Sequence, residues 1–219
     1  MKKIYPSLLG LRVEEMRRCV PLMVQRCDGF HLDIMDGVFV PYAENDSKEF
    51  NELIKKYHFV PWVHLMVEDV ERFFNELFLP EGSLVSFHCE INQDKNNIIK
   101  KITEKKCRAG IVINPKTPIF EASSYFGVVD QVLLMSVEPG RSGQCFLKSS
   151  LDRLNELVDR RKMGNYLFRI GMDGGINTTN ILELAYRGVD DFAIGGGIFL
   201  QSDPLGVLQE LYTLLLSFK

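Results

Sequence analysis

Four side chains in this sequence have the types needed to hold a metal ion or to move protons: His31, Asp33, His64 and Asp173. Two imidazoles and two carboxylates suit a borderline divalent ion such as Zn, Fe, Mn or Co, whereas an all-oxygen set would favour Mg or Ca. A lone histidine in a strand is more often a hydrogen-bonded core residue. Two buried carboxylates without a cation or a proton would, however, be costly. The sequence therefore predicts one divalent transition metal per chain, held by these four residues.

The other two histidines differ in what they indicate. His58 precedes a predicted strand, at the end away from the candidate site, and we expect it on the surface. His88 ends a predicted strand and is followed by Cys89 and Glu90. It either supports the metal ligands from behind or is an ordinary residue of the rim, and the sequence leaves both interpretations open.

Three glycine-containing segments follow later strands and could bind phosphate. They read EPGRSGQ at 138–144, GGINT at 174–178 and GGGIF at 195–199. Glycine lets the backbone approach an anion and turn its N–H groups toward it, and helix N-termini add a favourable dipole. One such turn is often only a tight connection between a strand and a helix. Three on consecutive strands predict a phosphate site.

Short apolar segments alternate with amphipathic ones along the whole chain, which predicts repeated βα units and a parallel sheet. The predicted strands are 4–9, 29–34, 59–65, 84–88, 109–113, 131–137, 167–172 and 191–194. The predicted helices include 13–26, 69–77, 96–106, 151–162, 180–187 and 205–217. Eight uninterrupted units favour a single-domain (β/α)8 TIM barrel over residues 1–219 rather than an open sheet. Only the polar segment 42–48 fits no element, and we interpret it as a loop.

A closed barrel explains how distant residues could form one site. Side chains alternate between the two faces of a strand, so His31, Asp33 and Met35 share a face, as do His64 and Met66. Residues at the carboxyl ends of barrel strands meet at one rim, where the active sites of such barrels lie. We therefore expect the metal ligands and the glycine segments to face a common cavity.

Composition narrows the class of protein. The chain has 219 residues and a net charge of -3, which gives no basic surface for nucleic acid. Its five cysteines are an odd number without a CxxC pair, which argues against a zinc ribbon or a disulfide framework and for reduced thiols. No secretory leader and no membrane-spanning segment is expected, so we predict a cytoplasmic protein with a small-molecule partner.

Beyond these patterns, the sequence resembles the ribulose-phosphate 3-epimerase family, whose members epimerise pentulose and hexulose phosphates. The resemblance covers nearly the whole chain and is carried by motifs in the same order. They are PSLL at 6–9, HLDIMDG at 31–37, FVP at 39–41, HLMV at 64–67, NP at 114–115 with TP at 117–118, MSVEPG at 135–140 and DGG at 173–175.

This resemblance implies a TIM-barrel enzyme and roles for matching residues. His31, Asp33, His64 and Asp173 would be metal ligands, and Asp33 and Asp173 the catalytic acid/base pair on opposite faces of the substrate. The remaining residues expected to contact substrate are Ser7, His64, Met35, Met66, Met135, Gly140, Arg141, Ser142, Gly143, Gly174, Gly175, Gly196 and Gly197. The methionines would form an apolar wall, although simple filling of the barrel explains each of them as well. A homo-oligomer is also implied.

Two segments depart from the family pattern. The residues at 42–48 replace an Asn and a short Thr-x-Gly-like segment, and Arg141-Ser142 replaces Phe-Gly. Ser142 would be restricted if a positive φ were required there, and Arg141 would contact phosphate or point into solvent.

The expected reaction is interconversion of D-ribulose 5-phosphate and D-xylulose 5-phosphate through an enediolate. Alternatives are another ketose phosphate such as D-allulose 6-phosphate, a barrel lyase or decarboxylase, and a noncatalytic sugar-phosphate binder. Lyases and decarboxylases of this kind generally need a lysine at a strand end. No predicted strand end carries one.

Overall fold

The structure is a computed structural model that describes residues 1–44 and 46–217. Within these residues, eight parallel strands form a nearly closed barrel, so the predicted (β/α)8 TIM barrel is confirmed. The strands, including one short antiparallel strand β3, are β1 (Lys3–Pro6), β2 (His31–Asp36), β3 (Ala43–Glu44), β4 (Trp62–Met66), β5 (Leu84–His88), β6 (Arg108–Ile113), β7 (Gln131–Met135), β8 (Arg169–Asp173) and β9 (Asp191–Ile194).

Helices connect the strands on the outside of the barrel. They are α1 (Val13–Met23), α2 (Ser47–Tyr57), α3 (Val70–Glu76), α4 (Lys95–Glu104), α5 (Ser150–Met163), α6 (Ile181–Arg187), α7 (Gly196–Phe199) and α8 (Pro204–Leu216), with a 3₁₀ helix at Ile119–Tyr125. Asp69, Asp94 and Asp203 precede α3, α4 and α8, and each carboxylate accepts a backbone N–H of the first turn. Such caps satisfy donors that the helix itself leaves unpaired.

The segment after β2 differs from the loop expected at 42–48. Ala43 and Glu44 form β3, which pairs antiparallel with Asp36 and Met35, and α2 begins at Ser47. The prediction of an irregular loop is therefore wrong on both sides of Asn45, which lies outside the described residues. The β3 pairing is only two residues long, and the polar residues before α2 hide the helical spacing that begins at Phe50.

The barrel closes where its first two parallel strands meet. β1 pairs with β9 over four residues, from Lys3 with Asp191 to Pro6 with Ile194. On the other side, Ser7 and His31 form a single parallel bridge, and Leu8 N–H donates to the His31 carbonyl at 3.1 Å. The closing contact thus lies directly beside the predicted site residues.

The large hydrophobic core lies between the strands and the helices, while the barrel interior is partly polar. At its amino-terminal end, Trp62 Nε1 donates to Ser86 Oγ at 2.9 Å and Gln131 Nε2 donates to Asp191 Oδ2 at 2.9 Å. The Tyr5 ring packs edge-on against Trp62 with centroids 5.2 Å apart. These five side chains are at most 2% exposed and form a plug across that end of the barrel.

Two further expectations concern membrane-spanning helices and the state of the cysteines. No helix among the described residues is long and apolar enough to cross a lipid bilayer. Each of the five cysteines is a free thiol, as the sequence predicted.

Candidate metal centre and substrate cavity

The four predicted metal ligands lie together at the carboxyl-terminal end of the barrel. His31 and Asp33 point inward from β2, His64 lies on the neighbouring β4 opposite Asp33, and Asp173 ends β8. One nitrogen or oxygen atom from each residue lies within 4.8 Å of the others. The convergence expected from strand alternation is therefore present.

The facing atoms are two imidazole nitrogens and two carboxylate oxygens. His31 Nε2 lies 3.2 Å from Asp33 Oδ1 and 3.7 Å from Asp173 Oδ2. His64 Nδ1 lies 3.1 Å and 3.7 Å from the same two oxygens. Both rings are fully buried, and neither His31 nitrogen has a hydrogen-bond partner among the described residues. Because buried nitrogens are normally hydrogen-bonded, this donor set fits a divalent cation at the common centre.

The two carboxyl groups differ in their electrostatic environment. Burial alone would raise the pKa of Asp33, but the nearby imidazoles of His31 and His64 hold it well below its usual range. Burial raises the pKa of Asp173 to about 7, and the nearby Asp33 charge adds to this effect. Such a pair can keep one carboxyl ionised and the other protonated near neutral pH.

Ser7 joins β1 to this group of residues. Its hydroxyl donates a hydrogen bond of 2.8 Å to Asp33 Oδ2, the oxygen that does not face His64. The Ser7 side chain is buried beside the strand bridge to His31. The serine therefore fixes the orientation of the Asp33 carboxylate.

A cavity of about 970 Å³ opens above the four residues. Asp33 and Asp173 reach its wall, whereas the buried His31 and His64 do not line it. The other predicted substrate residues that line it are Ser7, Met66, Met135, Gly140, Arg141, Ser142, Gly143, Gly174, Gly175, Gly196 and Gly197. Met35 does not line the cavity; it is buried and packs against Val40 and Met66.

The glycine loops after β7, β8 and β9 meet on one side of this cavity. A Cβ on Gly175 would lie 2.3 Å from Phe146 N, and one on Gly197 would lie 2.1 Å from the Ile176 carbonyl oxygen. Gly143 and Gly175 also have positive φ angles of 76° and 65°. Larger residues would thus push the loops apart at these positions.

The two residues that depart from the family pattern fit this loop differently. Ser142 does not have a positive φ, so no strain arises from the loss of glycine there; the positive angles are at Gly140 and Gly143. The Arg141 guanidinium lies over the ring of Tyr42, with Cζ 4.6 Å from the centroid. The sequence alone did not single out Tyr42, because it lies in the segment that fits no predicted element.

His88 occupies a buried position behind His64. Its Nε2 lies 2.9 Å from His64 Nε2, and burial lowers the pKa of His88 to about 4. His88 thus lies behind a candidate metal ligand, which is one of the two interpretations that the sequence left open. The companion residue Glu90 was not assigned a role, although its position two residues after a strand-end histidine was a usable signal. His58 is exposed at the end of α2, as expected.

Together these features define a (β/α)8 barrel with two histidines and two aspartates facing one centre beneath a cavity with glycine-rich loops. The chain belongs to the ribulose-phosphate 3-epimerase family, whose sequence model matches residues 3–199. The resemblance carried by the motifs is thereby confirmed.

Named relatives agree with this assignment. The chain is 35% identical over 185 residues to ribulose-phosphate 3-epimerase of Escherichia coli strain K12, covering 84% of this chain and 82% of that protein. It is 34% identical over 190 residues to the Aquifex aeolicus enzyme of the same name, covering 87% and 86%. The crystal structure of 3-hexulose-6-phosphate synthase from Salmonella typhimurium superposes with a TM-score of 0.75 at 16% identity, covering 99% and 100%. At that identity the structural likeness concerns the fold alone.

Proposed function

We propose that the protein is a metal-dependent ketose-phosphate 3-epimerase that interconverts D-ribulose 5-phosphate and D-xylulose 5-phosphate. The observation that carries this proposal is the pair Asp33 and Asp173, which reach one cavity from different strands and share a centre with two imidazoles. Two separate carboxyl groups are what inversion requires, because a proton removed from one face of a carbon must be replaced on the other. The names of the relatives supply the substrate class.

Asp33 and Asp173 divide the proton transfers between them. Proton removal requires an ionised Asp33 and a protonated Asp173: the two histidines lower the pKa of Asp33, and burial raises that of Asp173 to about 7. Asp33 removes the proton from C3, next to the C2 ketone, which leaves an enediolate. Asp173 then donates its proton to C3 from the opposite face, and the reverse reaction uses the aspartates in the opposite roles.

The remaining residues bind and orient the substrate. A divalent ion held by His31, Asp33, His64 and Asp173 would supply Lewis acidity at the oxygens beside the reacting carbon. Ser7 orients Asp33 through its hydrogen bond. Met66 and Met135 present apolar thioethers to the cavity and limit water near the reacting carbons. The backbone of the loops containing Gly143, Gly175 and Gly197 binds the phosphate.

Turnover of defined substrates tests the proposal. The purified protein is supplied with D-ribulose 5-phosphate, D-allulose 6-phosphate or a tetrulose phosphate in D₂O, and deuterium at C3 is followed by NMR. We expect exchange and epimerisation, with the highest kcat/KM for the pentulose phosphate. A higher kcat/KM for one of the other sugar phosphates would make that compound the substrate. No exchange with any of them would indicate a noncatalytic sugar-phosphate binder.

Three finer assignments belong to the same proposal. The mixed nitrogen and oxygen donors support one Zn, Fe, Mn or Co ion per chain, which metal analysis measures. The free thiols support a reducing compartment, the cytoplasm, which fractionation tests. A homo-oligomer rests on the family resemblance and is tested by light scattering after gel filtration.

A further inference from the structure

A row of buried polar side chains extends from the candidate metal centre into the protein. His64 Nδ1 faces Asp33 and Asp173, while His64 Nε2 lies 2.9 Å from His88 Nε2. The two imidazoles are nearly parallel, with an interplanar angle of 27° and centroids 5.0 Å apart. His88 Nδ1 in turn lies 3.3 Å from Glu90 Oε2, an electrostatic contact outside hydrogen-bond geometry.

Only one arrangement of protons suits this row if His64 is a ligand. Two ring nitrogens 2.9 Å apart attract each other only when one carries a hydrogen and the other a lone pair. A metal-binding His64 Nδ1 uses its own lone pair, so its proton must lie on Nε2. His88 Nε2 then accepts that proton's hydrogen bond, and the His88 proton lies on Nδ1, toward Glu90.

The surroundings hold His88 and Glu90 in place. The Phe39 ring lies against the His88 ring with centroids 4.6 Å apart, and the His88 side chain is fully buried. Glu90 Oε1 accepts the Asn114 N–H at 2.9 Å, so its other oxygen stays directed toward His88. A carboxylate in this position favours the tautomer with hydrogen on Nδ1 of His88.

We propose that Glu90 and His88 are positioning residues that fix the tautomer of His64 and thereby raise its affinity for a metal ion. The inference rests on the proposed function, because it requires His64 to be a ligand. Residues that hydrogen-bond the distal nitrogen of a metal-binding histidine typically change metal affinity by about 10–100-fold when removed. Neither His88 nor Glu90 lines the cavity, so both act through His64.

The metal affinity of three variants tests whether His88 and Glu90 position His64. Co²⁺ is titrated into the metal-free protein, and its Kd is measured by competition with a chelator. His88→Leu removes the acceptor, and we expect Kd to rise about 10–100-fold. His88→Gln keeps an oxygen acceptor and should recover most of the affinity. Glu90→Gln removes the charge and should weaken binding toward the lower end of that range. His58→Asn is the matched control, because His58 is exposed and precedes β4, at the end of the barrel away from the site.

A second readout separates the tautomer from general structural damage. In the Zn²⁺-loaded wild type, a slowly exchanging proton on His64 Nε2 should be visible by NMR, and His88→Leu should lose it. If His88→Leu fails to fold, Glu90→Gln alone decides the Kd comparison. Unchanged Kd values in the folded variants would overturn the positioning role of His88 and Glu90 and leave the proposed function standing. A wild type that binds no Co²⁺ would overturn both.

Discussion

At the scale of single residues, the two catalytic candidates are chemically alike but differently held. Asp33 is almost fully buried, accepts a hydrogen bond from Ser7 and contacts both histidines. The Asp173 side chain keeps 18% of its surface exposed and lies farther from the same nitrogens. The difference gives the pair a preferred proton distribution before substrate arrives.

Replacing either aspartate should abolish most turnover. We expect Asp33→Asn and Asp173→Asn to lower kcat by at least about 10²–10⁴-fold, the usual contribution of a general acid or base. The measurement is C3 deuterium exchange with D-ribulose 5-phosphate, with Asp159→Asn on the exposed face of α5 as the control. Near wild-type exchange in both site variants would exclude the two-base mechanism.

Metal affinity should depend on pH because protons compete for the same residues. Burial raises the Asp173 pKa to about 7, and Asp33 and Asp173 together raise that of His31 despite its burial. Protonation of these residues competes with metal binding, so affinity should increase by about tenfold per pH unit up to about pH 7 and less steeply above it. Co²⁺ titrations between pH 5.5 and 8.5 measure this, and a flat profile would contradict the raised pKa values.

At the scale of elements, loops from opposite sides of the barrel meet over the cavity. β2 and β7 are four positions apart in either direction around the barrel. Even so, Tyr42, after β2, contacts Gly140 and Arg141, after β7: a Cβ on Gly140 would lie 2.9 Å from Tyr42 Cδ2. The two segments that depart from the family pattern therefore contact each other.

Breaking this loop contact should weaken substrate binding more than catalysis. An exposed cation–π contact contributes about 0.5–1 kcal/mol, so Tyr42→Leu or Arg141→Gln should raise KM about 2–5-fold with little change in kcat. Tyr42→Phe keeps the ring and serves as the control. A double-mutant cycle should show a coupling of similar size, and additive effects on KM would show that the contact does not matter for binding.

The sequence was sufficient for the repeated strand and helix pattern, but it did not predict helix α2 or the contacts between side chains of neighbouring strands. Alternation placed His31 and Asp33 on one face of β2, and the structure agrees. The helix α2 was missed although Phe50, Leu53, Ile54 and Tyr57 have helical spacing, because the polar residues before it were interpreted as an extended loop. The role of His88 stayed open because its contact with His64 depends on how neighbouring strands align.

At the scale of the whole molecule, the proposed ion would bridge strands on both sides of the closing contact. Its ligands come from β2, β4 and β8, whereas in the part of the chain that the structure describes β1 meets β2 through the isolated bridge between Ser7 and His31. Binding to the folded state alone adds about 2.7 kcal/mol when free metal is 100 times Kd. A bound ion should therefore stabilise the entire barrel.

Removal of metal should lower the thermal stability. At about 2–4 °C per kcal/mol for a chain of this size, chelation should reduce Tm by about 5–10 °C, as measured by calorimetry. The Asp33→Asn variant, which lacks one ligand, should show a smaller reduction. Equal Tm values with and without chelator in the wild type would contradict a metal that binds the folded barrel.

The amino-terminal end of the barrel is closed by the plug of Tyr5, Trp62, Ser86, Gln131 and Asp191, so substrate and product share the cavity at the opposite end. Product must therefore leave through the same end of the barrel before the next substrate binds. Accumulated product consequently occupies the entrance that fresh substrate needs. The two epimers compete for the same free protein, whichever direction the reaction runs.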